Sequence, residues 1–360
     1  MGKKQEKKSA LSVKKGVVPP ANINSTQNNK NTNSLSADEL FSEIRAGDRS
    51  ALGKAITLIE STQPKHIKDA NRLIEKCLPI SGNSFRIGIT GVPGVGKSTF
   101  IEQIGLFLLE RKHKVAVLAV DPSSTRSKGS ILGDKTRMEK LSAADNAFIR
   151  PSPSAGSLGG VARKTRETIM VCEAAGYDYI LIETVGVGQS ETVVRSMVDF
   201  FLLLMLAGAG DELQGIKRGI IEMADLIAIN KTDGDNIAKA NLARQEYQNA
   251  LHLFPQKDSK WQPPVLTCSA VTGKGIDDIF QQIENYQKQT FVSGFFKENR
   301  KQQAKYWLDE TIWDSLKKDF LASDKIKTEF RKLEQAVLNE TLSPFAAAQQ
   351  LLDLYKTGKS

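Results

Sequence analysis

Cysteine and histidine are scarce in this chain, with three of each in 360 residues. Cys77, Cys172 and Cys268 lie far apart and form no C-x-x-C pair. That excludes a disulfide framework and a thiolate zinc site of the usual spacing, and it suits a reducing, cytoplasmic setting. Long apolar runs are missing as well. The longest, Phe200–Ala207, is too short to span a bilayer, so no membrane segment is expected. The first residues carry no apolar h-region, and Glu6 stands where a myristoylation signal has Ser or Thr. Arginine is absent from residues 1–37, which hold seven Lys against a single acid, Glu6. This tail therefore accounts for +6 of the net charge of +9. The remainder is close to neutral, which argues against a nucleic-acid surface.

Against those absences stands residues 85–99, Phe-Arg-Ile-Gly-Ile-Thr-Gly-Val-Pro-Gly-Val-Gly-Lys-Ser-Thr. Phe85 to Thr90 reads as a buried strand, and an apolar helical pattern at Ile101, Ile104, Phe107 and Leu108 follows. Between them Gly91, Val92, Pro93, Gly94, Val95, Gly96, Lys97 and Ser98 fit G-x-x-x-x-G-K-[ST], with Thr99 next. Triphosphate oxygens need many N–H donors at close range, and glycines let the backbone approach without a Cβ clash. The helix start directs its positive dipole end at the phosphates. Lys97 adds charge at the β- and γ-phosphates, and the Ser98 hydroxyl suits Mg2+.

Runs of apolar residues at 85–90, 115–121, 147–150, 179–184, 199–206, 225–230 and 264–268 alternate with helical patterns. Continuous apolar runs of this kind mark strands buried on both faces. The expected fold is α/β, a doubly wound and mainly parallel sheet with its ligand at the carboxyl ends of the strands. The candidate groups fall at those ends. Asp121, in Asp-Pro-Ser-Ser, suits Mg2+ or the γ-phosphate, or is a structural turn residue. Asp134 is a second candidate metal residue. Glu183 opens Glu-Thr-Val-Gly-Val-Gly-Gln-Ser-Glu, where the acid can serve the metal through a water and Gln189 can orient an attacking water. The glycine-rich stretch 207–219 reads as a nucleotide-sensing loop in which Asp211 and Lys217 face the triphosphate, or as a plain surface loop.

Asn230-Lys231-Thr232-Asp233 fits the N-K-x-D guanine signature. A carboxylate at Asp233 can accept from both N1–H and N2–H2 of guanine, and adenine would leave it unpaired. Lys231 can lie along the base, and Asn230 can brace the P-loop. Ser269-Ala270, continued by Val271, fits the loop whose backbone meets the guanine O6.

The helical N-terminal segment is read over 38–80, with Ser36 as N-cap and Glu39 completing a capping box. The nucleotide domain follows over 81–290 and a charged helical region over 291–360, after the basic 1–37 tail, which is read as disordered. Tyr306, Trp313 and Phe320 are seven apart, with Ile312 and Leu316 on a nearby face, marking either an internal core face or a subunit interface. Ser343-Pro344 reads as N-cap and N1 of a last helix.

Five blocks together resemble the methylmalonyl-CoA mutase-associated GTPases of MeaB/ArgK type: 91–99, 121–124, 183–191, 210–217 and 230–233. The likeness spans roughly residues 38–360. It implies a GTPase that binds GTP and GDP with Mg2+ and a C-terminal arm that forms a homodimer. It also implies a partner, an adenosylcobalamin-dependent acyl-CoA mutase, whose cofactor loading and reactivation the GTPase gates as a chaperone. By the same likeness Ser98, Asp121, Asp134 and Glu183 are metal or phosphate residues, and Asp211 and Lys217 belong to the switch coupled to the mutase. Two other readings are a metallochaperone GTPase, for which His66, His113 and His252 form no cluster, and an amino-acid transport kinase, for which no acceptor-binding or catalytic-base motif is evident.

Overall fold

Strand β1, Phe85–Gly91, is buried along its whole length, as its apolar run predicts. It lies at the centre of a seven-stranded sheet of order β3-β2-β4-β1-β5-β6-β7, in which every neighbouring pair is parallel. The computed structural model describes residues 35–120, 138–151, 158–184, 190–208 and 218–357. The other strands are β2 (Val115–Val120), β3 (Ala147–Arg150), β4 (Tyr179–Thr184), β5 (Phe200–Leu206), β6 (Leu226–Asn230) and β7 (Val265–Thr267). The expected doubly wound parallel sheet is therefore what the chain forms. β7 is shorter than its apolar run, because the chain turns away after Thr267 toward the Ser269 loop.

Helices cover both faces of the sheet. Among them are α4 (Lys97–Glu110), α5 (Glu139–Ala143), α6 (Leu158–Ala174), α7 (Ser190–Arg195), α8 (Arg218–Met223), α9 (Ile237–Leu251) and α10 (Ile276–Val292). One core packs α4 and α10 on the sheet through Phe100, Ile104, Phe280 and Tyr286. On the other face Tyr247 of α9 packs against Ile227 and Met205. On that same face Gly88 of β1 lets α7 lie flush on the sheet. A Cβ there would sit 3.0 Å from Val194 and 3.1 Å from Val198.

Before the sheet come α1 (Ala37–Arg45), α2 (Arg49–Glu60) and α3 (Pro64–Cys77). The Ser36 hydroxyl accepts from Glu39 N, and the Glu39 carboxylate accepts from Ser36 N, so the capping box is formed. Leu40, Ile44, Leu52 and Ile56 are buried beneath these helices. After the sheet, Gly294 (φ +77°) separates α10 from α11 (Phe295–Ala322), followed by α12 (Asp324–Leu338) and α13 (Pro344–Thr357). Ser343 caps α13, its hydroxyl accepting from Ala346 N. Phe320 turns inward onto Tyr355 (5.2 Å between rings). Tyr306, Ile312, Trp313 and Leu316 stay exposed, with Trp313 at 68%. The heptad stripe thus divides between an internal contact and an open face.

A cluster of buried charges closes the amino-terminal edge of the sheet. Arg86 donates to Glu173 at 2.9 and 3.0 Å. Arg300 donates to Asp199 at 2.8 and 2.6 Å. Asp225 is paired with both Arg195 (2.8 Å) and Lys257 (2.9 Å) and also accepts from Phe201 N. Each of these acids is satisfied by several donors, which is the condition for burying a carboxylate.

Candidate nucleotide site

The opposite edge of the sheet holds the sequence motifs. β1 delivers the chain into the P-loop, and α4 leaves it at Lys97. Gly96 has φ +95°, and an added Cβ would lie 2.9 Å from Asn230 Nδ2. At Gly91 an added Cβ would lie 2.4 Å from Leu204 O. Only glycine fits either position, so the loop is pressed against β5 and β6 as tightly as backbone allows. The apolar Val95 is buried in the core and pins the loop from beneath. Val92 is half-buried, whereas Pro93, Gly94 and Thr99 are exposed.

No side chain caps the start of α4. Its first-turn N–H groups therefore remain donors for an anion, aided by the helix dipole. Lys97 Nζ donates to Gly91 O at 2.8 Å, alongside the same loop. Burial pushes its pKa below the usual lysine value, while the charges of Glu183 and Glu191 pull the other way. The Ser98 hydroxyl donates to Glu183 Oε1 at 3.1 Å, and Glu183 is buried at the end of β4. A hydroxyl and a carboxylate side by side are the hard oxygen donors that Mg2+ takes. The glycine cradle, the uncapped helix start and this oxygen pair all fit a magnesium-bound nucleoside triphosphate.

Asn230 ends β6 and is buried. Its Nδ2 donates to Val95 O at 2.8 Å, and its Oδ1 accepts from Ala270 N at 3.0 Å. One amide thus ties the P-loop to the Ser269–Ala270 loop. Cys268 Sγ adds a longer contact to the same Oδ1, at 3.6 Å. Asp233 is exposed, and its Oδ2 accepts from Ser269 Oγ at 2.5 Å. Ser269 Oγ in turn accepts from Thr272 N. This leaves the carboxylate oriented with an open acceptor side. Lys231 takes a left-handed φ of +59°, and Asn236 Nδ2 holds its carbonyl. Val271 points its side chain outward at 76% exposure, so any contact to a base there belongs to the backbone.

Residues 91–99, Glu183, Asn230, Lys231, Asp233, Ser269, Ala270 and Val271 all lie at the carboxyl ends of the strands or in the loops that leave them. Asp121, Asp134, Gln189, Asp211 and Lys217 lie outside the described residues. Sequence reasoning did not single out Glu191, which is 1% exposed in the first turn of α7. It lies inside the quoted 183–191 block, but nothing in a sequence marks an acid as buried. Cys268 likewise shows in the sequence only as one of three dispersed thiols.

A parallel sheet carrying a P-loop at its central strand and a guanine signature two strands away defines a P-loop GTPase. The comparison with known families is more specific. Residues 52–325 match the model described as methylmalonyl-CoA mutase-associated GTPase MeaB, and the chain belongs to that family. It is 46% identical to GTPase ArgK of Escherichia coli, over 90% of this chain and 98% of that one. It is also 46% identical to the mitochondrial methylmalonic aciduria type A homolog of Mus musculus, over 89% of this chain and 80% of that one. Among solved structures, one described as LAO/AO transport system kinase superposes with a TM-score of 0.72 at 41% identity, covering 89% of this chain and 97% of that one.

Proposed function

We propose that this GTPase is a chaperone of an adenosylcobalamin-dependent acyl-CoA mutase, gating cofactor loading and reactivation through its nucleotide state. Membership of the mutase-associated family supports the partner class. The observation that carries the nucleotide part is the double hydrogen bond of Asn230, which joins the phosphate loop to the base-side loop. The protein then reads phosphate and base as one unit.

In this reading the P-loop amides and Lys97 hold the triphosphate. Ser98 and Glu183 hold Mg2+, with Asp121 and Asp134 as further metal or phosphate residues. Bound magnesium supplies positive charge to the oxygens that gain negative charge as the terminal phosphoryl leaves. Asp233 selects guanine, with Ser269 fixing its orientation. Gln189 orients the attacking water, and Asp211 and Lys217 couple hydrolysis to the mutase. The exposed face of α11 around Trp313 forms a homodimer. Three buried free thiols agree with a reducing, cytoplasmic setting. Among the described residues no helix is long and apolar enough to cross a membrane.

Three measurements test the reading. Equilibrium binding in Mg2+ is expected to favour GTP and GDP over ATP, and equal affinity for ATP would end the guanine assignment. Capture of the mutase from native extract on the immobilised protein is expected to differ between GDP and a non-hydrolysable GTP analogue. Release of the γ-phosphate to water, rather than to a co-purified protein, separates this reading from the transport-kinase alternative.

A further inference from the structure

β1 and β4 are neighbours in the sheet, but their pairing stops short of their ends. The last paired residues are Ile89 and Glu183. Beyond them β1 runs on to Gly91 against β5, and β4 runs on to Thr184 against β2. Backbone pairing between the two strands therefore ends where the P-loop begins. At that point a side-chain bond takes over: Thr184 Oγ1 donates to Thr90 Oγ1 at 2.8 Å. Both threonines are fully buried.

Side chains alternate between the two faces of a strand. Ile87, Ile89 and Leu181 pack in the core with α4. Glu183 keeps that side, where its Oε1 accepts from Ser98 Oγ at 3.1 Å. Thr90 and Thr184 therefore lie on the other face, the one on which Val194 of α7 meets Gly88. The end of β4 is thus held twice, through Ser98 of α4 on one face and through Thr90 of β1 on the other. Thr90 is peptide-linked to Gly91, whose carbonyl accepts from Lys97 Nζ at 2.8 Å. Thr184 is peptide-linked to Glu183. The hydroxyl pair joins the backbone that enters the P-loop to the backbone that carries the carboxylate. Two apolar groups of the same shape would serve the fold about as well, so what the hydroxyls add is direction.

We propose that Thr90 and Thr184 are positioning residues for the magnesium-bound nucleotide: their hydrogen bond fixes the end of β4 against the start of the P-loop and so sets Glu183 against Ser98. This rests on the reading of Ser98 and Glu183 as metal residues. Both threonines lie buried on the far face of the sheet, so they act through Glu183 and Gly91.

The test uses the full chain carrying Thr90→Val, Thr184→Val, both together, or Thr184→Ser. Three quantities are read: the Mg2+ concentration that half-maximally promotes binding of a non-hydrolysable GTP analogue, affinity for the analogue in EDTA, and Tm. Each single valine variant is expected to raise the Mg2+ requirement about tenfold and to lower Tm, with affinity in EDTA within about twofold of the parent. Joining both valines removes the orphaned hydroxyl. Tm is then expected to return toward the parent while the Mg2+ requirement stays high. Thr184→Ser keeps the hydroxyl and is expected to behave as the parent. The proposal is overturned if the Mg2+ requirement of the valine variants stays within about twofold of the parent. It is overturned equally if that requirement recovers with Tm in the double variant, which marks the pair as structural, or if Thr184→Ser matches Thr184→Val. A parent whose analogue binding ignores Mg2+ would sink the metal assignment of Ser98 and Glu183, and the proposal with it.

Discussion

Asn230 occupies a position that no other side chain could fill. It must donate to Val95 O and accept from Ala270 N at once, which only a planar amide of its length does from the end of β6. Asp233, three residues on, has the opposite character: exposed, with one oxygen held by Ser269 and the other side open. Asp233→Asn is expected to lower GTP affinity about 100-fold or more without a matching gain for ATP, because the amide presents a donor to the guanine N–H groups. Tm is expected to stay unchanged, and calorimetric titration checks both. The three thiols give a separate prediction. Burial pushes the Cys77 thiol up to about 11, and Tyr177 and Tyr179 are each pushed up to about 12. Between the ordinary thiol value and about pH 11 the unfolded chain sheds protons that the folded chain retains. Stability is therefore full below about pH 9 and falls as the pH rises, Cys77 alone accounting for about 1–3 kcal/mol. Urea unfolding at stepped alkaline pH measures the slope, which is expected to be shallower in Cys77→Ala.

Among the elements, strands and caps were plain in the sequence because their causes are local. Seven apolar runs became seven strands, and Ser36 with Glu39 formed the box their spacing implied. The site loops were legible for the same reason, since a glycine pattern between strand and helix has one geometry. What stayed hidden was long-range. Trp307 and Ser196 are 111 residues apart in sequence, and nothing around either shows that the indole N–H ends on the Ser196 carbonyl. Asp225 is another such case. Its run read simply as the start of a strand, yet the carboxylate collects Arg195, Lys257 and Phe201 N beneath the sheet. Asp225→Ala leaves two half-buried cations without their carboxylate. Unfolding in denaturant is expected to show a loss of about 3–5 kcal/mol, well above an ordinary surface change.

At the scale of the molecule, the sheet separates two polar regions. The P-loop and the guanine-signature motif lie along the carboxyl edge, and paired charges lie along the amino edge, where α11 leaves the body. Beyond Trp307 that helix buries no residue, and it exposes Leu308, Ile312, Trp313 and Leu316. An apolar face of this kind, with Trp at its centre, fits a second copy of the chain. Light scattering coupled to size exclusion is expected to report a dimer, and Trp313→Glu is expected to shift it to monomer with nucleotide affinity unchanged. A mass independent of this substitution would remove the face from consideration.

The stretch of α11 beyond Trp307 has a geometrical consequence. From Trp307 to Ala322 the helix runs about 22 Å, so a tilt of about 5° at the indole, too small to break a hydrogen bond, carries the tip about 2 Å sideways. In a symmetric pair two such tips swing in mirrored senses. Spin labels placed near Ala322 in both copies would therefore magnify a motion that is barely measurable at its pivot.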